Sequence, residues 1–174
     1  MKRHHIVLVG PMGSGKSTVG RDLARHFGLP HRDTDSAVAS KARCSVEEIF
    51  RRSGEADFRR REAEALLEIL AGPRSVVSTG GGIVVSPANR LVLCGHDCLV
   101  VWLDADVDAL VKRVHGGRGR PLLQGDVESN LATKVRERAA FYEEVSDMKI
   151  DTTGLARGAT VEHLITMIEQ DGAL

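Results

Sequence analysis

The clearest chemical signal in the sequence is a glycine-rich segment that ends in Lys16 and Ser17. Residues 10–17 read GPMGSGKS and match the pattern G-x-x-x-x-G-K-[ST] in full. The glycines let the backbone wrap closely around an anion, so that N–H groups and a helix N-terminus point at phosphate oxygens. The lysine adds charge for the β and γ phosphates, and the serine hydroxyl is placed to bind Mg²⁺. The predicted nucleotide contacts here are Gly13, Ser14, Gly15, Lys16, Ser17 and Thr18.

A phosphate-binding loop identifies the nucleotide but not the group that receives the phosphoryl. The sequence Asp33-Thr34-Asp35 follows a short polar strand, at the end of the strands where open parallel sheets bind ligands. Two carboxylates two residues apart on an extended segment project to the same face. One could then bind a water of Mg²⁺ and the other an acceptor hydroxyl. An ordinary turn and helix N-cap accounts for the pair equally well.

Two further segments carry residues that could contact a ligand. Arg59 and Glu62 are three residues apart in a predicted helix and can pair on one face, whereas Arg60 and Arg61 are interpreted as ordinary exposed charges. Residues 80–82 are three consecutive glycines after a buried strand, although glycine loses the most backbone entropy on folding. Close approach of a ligand to this backbone explains the glycines better than a simple turn.

Apolar runs that alternate with helical patterns must position these residues. Helix signals include the stripe of Val19, Leu23 and Phe27 closed by Gly28, and a capping box at residues 45–48 that opens a short helix. Ser86-Pro87 reads as another N-cap, and apolar stripes run through residues 107–114 and 161–168. The predicted strands are residues 6–9, 31–34, 75–79, 98–103 and 148–151. Strands alternating with amphipathic helices predict an α/β fold, with a parallel sheet covered on both faces.

One region interrupts this alternation. Residues 115–126 contain four glycines and two arginines in twelve residues. A solvated connection would explain the composition, but long glycine-rich loops within compact domains are often lids. We therefore expect a mobile lid at about residues 115–126.

Length and composition limit the classes of protein. The chain has 174 residues, with 24 Lys and Arg against 24 Asp and Glu, which predicts a single domain over residues 1–174 and argues against a nucleic-acid-binding face. Its short apolar runs predict neither a signal peptide nor a membrane span, so we expect a cytoplasmic protein. Cys94, His96 and Cys98 do not complete the ligand set of a structural zinc site, and the cysteines are interpreted as buried residues at a strand edge.

Taken in order, the motifs resemble those of the shikimate kinase family. The resemblance covers nearly the whole chain and is specific because of the order and spacing of its short motifs. It implies a P-loop kinase fold like that of nucleoside monophosphate kinases, with five parallel strands in the order 2-3-1-4-5 and helices on both faces. The motifs are the phosphate-binding loop, Asp33-Thr34-Asp35, Arg59 with Glu62, residues 80–82, Arg120-Pro121-Leu122-Leu123, and Arg138 with Tyr142.

The resemblance also implies a reaction, the transfer of the ATP γ-phosphoryl group to the 3-hydroxyl of shikimate. Asp35 would be the base for that hydroxyl, and Lys16 and Arg120 would act on the phosphates, the latter moving with the lid. Asp33 would reach Mg²⁺ through water beside Ser17, and Arg113 would lie against the adenine. We expect a monomer that binds shikimate and ATP, with Mg²⁺ as cofactor.

The implied acceptor contacts combine cations with glycine backbone. Arg59 and Arg138 would bind the shikimate carboxylate, and Glu62 would orient Arg59. Forked guanidinium donors suit a carboxylate, and an aspartate suits a hydroxyl. The residues that would contact shikimate are Asp35, Arg59, Gly80, Gly81, Gly82 and Arg138.

Residues 152–157 depart from the family pattern around the adenine, so this part of the base pocket is not assigned residue by residue. Two other functions are compatible with a phosphate-binding loop. A different small-metabolite P-loop kinase, such as one acting on gluconate, is not expected to combine the Asp-Thr-Asp, triple-glycine and Arg138 features. A nucleotide-binding switch without an acceptor has no need for Asp35, Arg59 and Arg138 to converge.

Overall fold

The computed structural model describes residues 4–95, 97–115 and 127–172. Its five strands form one parallel sheet in the order β2-β3-β1-β4-β5, which confirms the predicted topology. The strands are β1 (His5–Val9), β2 (His31–Asp33), β3 (Val76–Ser78), β4 (Cys98–Asp104) and β5 (Met148–Asp151). All five predicted strands are therefore present, with ends that differ by one residue or none.

Helices connect the strands and cover both faces of the sheet. A short 3-10 turn, Ile83–Val85, follows the triple glycine. The helices are α1 (Lys16–Phe27), α2 (Thr34–Ala42), α3 (Val46–Leu70), α4 (Pro87–Gly95), α5 (Val107–His115), α6 (Val127–Val145) and α7 (Arg157–Asp171).

The predicted helix ends are formed by the expected capping residues. Gly28 ends α1 in the left-handed conformation, with a φ of 63°. The Ser45 hydroxyl accepts a hydrogen bond from the Glu48 N–H at 3.1 Å, and Ser86 precedes a helix that begins at Pro87. The short helix predicted after Ser45 continues into the helix of Arg59 as one element, α3, which is kinked at Gly54.

The core consists of two apolar layers, one on each face of the sheet. On one face α1 and α7 pack through Leu23, Leu164 and Ile168. On the other face α3, α4 and α6 contribute residues that include Leu66 and Tyr142. Burial of both faces explains why the central strands are continuous apolar runs rather than alternating patterns.

The cysteines differ in part from the prediction. Cys98 is buried at the start of β4, as expected, but Cys94 is exposed and lies on α4. The interpretation of Cys94 as a buried strand-edge residue was wrong, because α4 continues to Gly95 and β4 begins only at Cys98. His96 lies outside the described residues, as do residues 116–126 of the predicted lid, which include Arg120. No helix within the described ranges is long and apolar enough to cross a membrane.

Candidate active site

The phosphate-binding loop connects β1 to α1 at the carboxyl edge of the sheet. Gly13 has a φ of 86°, and a Cβ there would lie 3.0 Å from the Leu110 carbonyl oxygen of α5. Gly15 is the N-cap of α1 with a φ of 92°. Side chains rarely adopt such φ values, so both positions require glycine if the loop is to turn its backbone into the cleft.

Lys16 occupies the interior of this loop. Its ammonium group donates to the carbonyl oxygens of Gly10 and Pro11, at 2.8 Å each, and its side chain is buried. A phosphate in the loop would offer the ammonium negatively charged acceptors in place of these neutral carbonyls. The lysine is therefore already within the space where phosphate oxygens would lie.

Asp33 connects the loop to α2. The Ser17 hydroxyl donates to Asp33 Oδ2 at 2.8 Å, and the Ser36 N–H donates to Asp33 Oδ1 at 3.0 Å. Asp33 is thus the N-cap of α2, which confirms one of the two interpretations left open by the sequence, and its other oxygen contacts the phosphate-binding loop. The expectation that Asp33 and Asp35 share one face of a strand was wrong, because the cap starts a helix at Thr34 and places Asp35 in its first turn.

Asp35 projects toward the triple glycine. Its Oδ1 is buried and has no hydrogen-bond partner within the part of the chain that the structure describes. Burial raises the pKa of the Asp35 carboxyl, as does the nearby charge of Asp33, while Lys16 and Arg59 act in the opposite direction. A Cβ on Gly80 would lie 2.7 Å from Asp35 Oδ1, so a side chain at residue 80 would crowd this carboxylate.

Arg59 and Glu62 form the pair that their spacing predicted. Arg59 Nη1 donates to Glu62 Oε2 at 2.7 Å, and Glu55 Oε1 lies 3.2 Å from Arg59 Nη2. Glu62 is fully buried, and burial raises its pKa against the opposing charge of Arg59. A Cβ on Gly82 would overlap the Arg59 guanidinium, which explains the glycine at that position.

The neighbouring arginines have the surface role expected of them. Arg60 and Arg61 both pair with Asp57 at 2.6 Å on α3, where Arg60 is exposed and Arg61 is half-buried. Only Arg59 among the three turns inward toward the triple glycine.

Helix α6 approaches the same glycines from the other side. Arg138 Nη1 donates to the Gly81 carbonyl oxygen at 3.1 Å, and the Tyr142 hydroxyl donates to that oxygen at 2.5 Å. Burial raises the pKa of Tyr142 to about 12, so its hydroxyl remains a donor at neutral pH. Arg138 is half-buried beside the triple glycine rather than exposed on the surface.

These residues line two adjacent cavities that meet at Asp35. The larger, of about 650 Å³, is lined by the phosphate-binding loop and by Arg113, Thr152 and Arg157. The smaller, of about 200 Å³, is lined by Arg59 and by Arg138. Asp35, Gly80 and Gly81 line both cavities. The structure therefore brings the predicted nucleotide residues and the predicted acceptor residues to neighbouring spaces with one carboxylate between them.

Arg113 is held rigidly at the wall of the larger cavity. Its guanidinium donates to Thr152 Oγ1 at 3.0 Å and to the Thr152 carbonyl oxygen at 2.7 Å. These contacts place the planar guanidinium of Arg113 at the wall of the larger cavity, which the phosphate-binding loop also lines.

Three residues that sequence reasoning did not assign also lie at the cavities. Glu55 lines the smaller cavity and pairs with Arg59, and its spacing of four residues could have identified it. Arg157 lines the larger cavity and is bound by Asp22 at 2.6 Å, a contact between residues 135 positions apart that no local pattern could signal. Tyr142 was noted as part of a motif but without a role.

Members of one known family are similar to this chain over most of its length. The family model described as Shikimate kinase matches residues 12–169. A shikimate kinase of Stenotrophomonas maltophilia (strain K279a) is 39% identical over 165 residues, covering 94% of this chain and 91% of the relative. One of Halorhodospira halophila (strain DSM 244 / SL1) is 45% identical over 150 residues, covering 86% and 84%.

Solved structures give the same result. The shikimate kinase from Acinetobacter baumannii in complex with shikimate matches with a TM-score of 0.92 and 34% identity, covering 97% of this chain and 94% of that one. A gluconokinase from Sinorhizobium meliloti 1021 shares the fold alone, with a TM-score of 0.64 and 20% identity over 98% of this chain and 94% of its own. With a family model that spans most of the sequence and relatives above one-third identity, this chain belongs to the shikimate kinase family.

Proposed function

We propose that this protein transfers the γ-phosphoryl group of ATP to the 3-hydroxyl of shikimate. The products are shikimate 3-phosphate and ADP, and the reaction is a step in chorismate and aromatic amino acid biosynthesis. Family membership supports an ATP-dependent kinase of this kind. The observation that carries the proposal for this chain is the position of Asp35, between a cavity at the phosphate-binding loop and one that contains two arginines.

The larger cavity binds ATP in this proposal. Backbone N–H groups of the loop, from Gly13 to Thr18, surround the phosphates, and Lys16 exchanges its loop carbonyls for phosphate oxygens. The adenine lies against the Arg113 guanidinium, which Thr152 holds in place.

Ser17 and Asp33 suit Mg²⁺. Their oxygens lie 2.8 Å apart at the mouth of the loop, and a hydroxyl and a carboxylate are the hard oxygen donors that Mg²⁺ prefers. Two protein groups are enough, because Mg²⁺ in kinases is held largely by nucleotide phosphates and water. Ser17 would hold the ion directly and Asp33 through water. When bound, the ion neutralises charge on the phosphates.

The smaller cavity binds shikimate. Arg59 and Arg138 provide two guanidinium groups for the carboxylate, and Glu62 and Glu55 keep the first of them in position. Backbone of Gly80, Gly81 and Gly82 supplies the floor, and a side chain at either Gly80 or Gly82 would overlap functional groups.

Asp35 then acts as the base. As the acceptor oxygen forms its bond to the γ-phosphorus, the bond from that phosphorus to the β–γ bridging oxygen breaks, and the hydroxyl proton passes to the Asp35 carboxylate, which lines both cavities. The protein contributes mainly alignment and positive charge, which is what phosphoryl transfer requires.

The remaining features are proposals of the same kind. Residues 1–174 form one domain that acts as a monomer in the cytoplasm, without nucleic-acid or membrane partners. The role proposed for Arg120, which would act on the phosphates from a lid at about residues 115–126, concerns residues that lie mainly outside the part of the chain that the structure describes.

The test is acceptor-dependent release of ADP. We expect ADP production with Mg²⁺ and ATP to rise strongly when shikimate is added, with one shikimate 3-phosphate formed for each ADP. Gluconate serves as the control acceptor and should give only the background rate. Release of ADP at the same rate without shikimate, or stimulation by gluconate instead, would overturn the proposal.

A further inference from the structure

One backbone carbonyl in the acceptor site receives two side-chain donors from the same helix. Arg138 and Tyr142 are four residues apart on α6, and both donate to the Gly81 carbonyl oxygen, at 3.1 Å and 2.5 Å. A carbonyl oxygen has two lone pairs, so these donors satisfy it completely. The arrangement joins α6 to the glycine segment at a single atom.

Gly81 also touches the phosphate-binding loop. A Cβ at Gly81 would lie 3.2 Å from the Met12 N and 3.4 Å from the Gly10 carbonyl oxygen. The peptide of Gly81 is therefore packed between α6, which carries an acceptor arginine, and the loop for the nucleotide. Its position affects the distance between the two substrates.

The two donors differ in their freedom to leave the carbonyl. Arg138 is half-buried at the smaller cavity, and its flexible side chain can turn to an anion there. Tyr142 is 1% exposed, and its ring stacks on Trp102 with 5.5 Å between ring centroids. The Tyr142 side chain is therefore more constrained at the carbonyl than the Arg138 side chain.

We infer that Tyr142 is a positioning residue of the acceptor site: its hydroxyl holds the Gly81 carbonyl in place when Arg138 turns from that carbonyl to the carboxylate of the acceptor. This inference rests on the proposed function, because it assumes an anionic acceptor in the smaller cavity. The bond from Tyr142 then matters more in the complex than in the free protein, because in the complex it is the remaining donor of the two.

Tyr142→Phe tests this, with Ser146→Ala as the matched control. The Ser146 hydroxyl donates to the Tyr142 carbonyl oxygen at 2.5 Å, so the control also removes one hydrogen bond from α6 but leaves Gly81 untouched. We expect Tyr142→Phe to raise the KM for shikimate about two- to tenfold, the equivalent of one hydrogen bond, with the KM for ATP little changed. Ser146→Ala should change neither KM.

Thermal unfolding separates positioning from a purely structural role. A structural bond would lower Tm equally with and without shikimate. We expect saturating shikimate to raise the Tm of Tyr142→Phe less than that of wild type, whereas Ser146→Ala should show the full increase. An equal Tm increase together with a wild-type KM for shikimate would overturn the inference, whereas wild type without shikimate-dependent ADP release would overturn the proposed function itself.

A second measurement uses the unaltered protein and does not depend on the folding of a variant. Tyr142 is the only tyrosine in the chain, so its hydroxyl proton can be assigned without ambiguity by NMR. The inference requires this proton to remain protected from exchange when shikimate is bound. Loss of protection on addition of shikimate would contradict it.

Discussion

The phosphate-binding loop and the smaller cavity, which we propose to be the acceptor site, lie side by side. They are built from different numbers of chain segments. Residues 10–17 supply the loop as one continuous segment between β1 and α1. The smaller cavity is assembled from separate elements, with Asp35 from α2, Arg59 from α3, Gly81 from the segment after β3 and Arg138 from α6. A local motif forms wherever a strand and a helix support it, whereas the acceptor cavity exists only when these elements have packed together.

The two regions also differ in their electrostatics. The loop offers backbone N–H groups, which do not titrate, and the ammonium group of Lys16. The acceptor site contains two buried carboxyl groups, Asp35 and Glu62, whose pKa values are raised by burial. Substitutions or pH changes that alter the charge of these carboxyl groups should therefore affect acceptor binding and turnover more than nucleotide binding.

The largest difference between the effects on turnover and on ATP binding is expected for Asp35, whose carboxylate lines both cavities. Asp35→Asn keeps the shape of the side chain but cannot accept the hydroxyl proton, and should lower kcat by about 10² to 10⁴. The affinity for ATP, measured by titration calorimetry, should change little, and Asp57→Asn on the surface of α3 serves as the control. An equally large loss of ATP affinity would place the carboxylate in the nucleotide site instead.

Arg138→Ala should give the next largest effect, confined to the acceptor. Leaving the carboxylate of shikimate without this partner should cost about 2 to 5 kcal/mol of binding, or about 30-fold to several thousand-fold in Kd. Arg136→Ala is the matched control, because Arg136 is exposed on the same helix. A shikimate analogue without the carboxylate should bind wild type and Arg138→Ala about equally, and a shikimate affinity within threefold of wild type would contradict the assignment.

A smaller difference is expected in pH dependence. The pKa of Asp35 is raised above its ordinary 3.8 and that of Glu62 above 4.5, chiefly by burial. As pH falls, both groups should therefore protonate at a higher pH than exposed carboxyls do. The value of kcat/KM for shikimate should then begin to decline at a pH above the ordinary pKa range of carboxyls, while the KM for ATP stays constant. A rise in the KM for ATP over the same pH range would mean that nucleotide binding is as sensitive to protonation as the acceptor reaction.

Protonation of Asp35 and Glu62 should lower activity, but it should favour the folded state. A carboxyl with a raised folded-state pKa binds more protons when folded, so its contribution is greatest below the unfolded-state pKa and is lost as pH rises through the folded-state value. The free energy of unfolding of wild type and Glu62→Gln, measured with denaturant at a series of pH values between the unfolded-state and folded-state pKa of the carboxyl, would test this contribution. The variant should lack the part of the pH dependence that comes from Glu62.

The smallest effect is expected at the adenine. Arg113→Ala removes a cation beside the base, which at an exposed site contributes about 0.5 to 1 kcal/mol, or about two- to fivefold in ATP affinity. Shikimate affinity should be unchanged. Arg21→Ala is a suitable control, since Arg21 is exposed on α1. An effect on shikimate binding equal to that on ATP binding would show that Arg113 acts on both regions.

Sequence patterns predicted the phosphate-binding loop and the strands of the sheet well. They were less successful at Asp33, which ends a strand and also caps the following helix. The strand-face interpretation of Asp33 and Asp35 was wrong because Asp33 caps a helix. The pairing of Arg59 with Glu62 was confirmed because both lie on one helix, at a spacing that makes side chains meet. The roles of Arg113, Arg120 and Arg138 stay predictions, since they depend on ligands.

The sequence by itself determined the order and type of the elements, the phosphate-binding loop and the parallel topology, because these depend on local periodicity, on glycine and capping residues, and on short connections. Only the tertiary structure decided that Arg138 and Tyr142 share the Gly81 carbonyl, and that Asp35 Oδ1 and Glu62 Oε1 are buried without donors among the described residues. These contacts join residues far apart in the chain. Whether such residues meet depends on how α2, α3 and α6 pack around the carboxyl edge of the sheet, which no local spacing encodes.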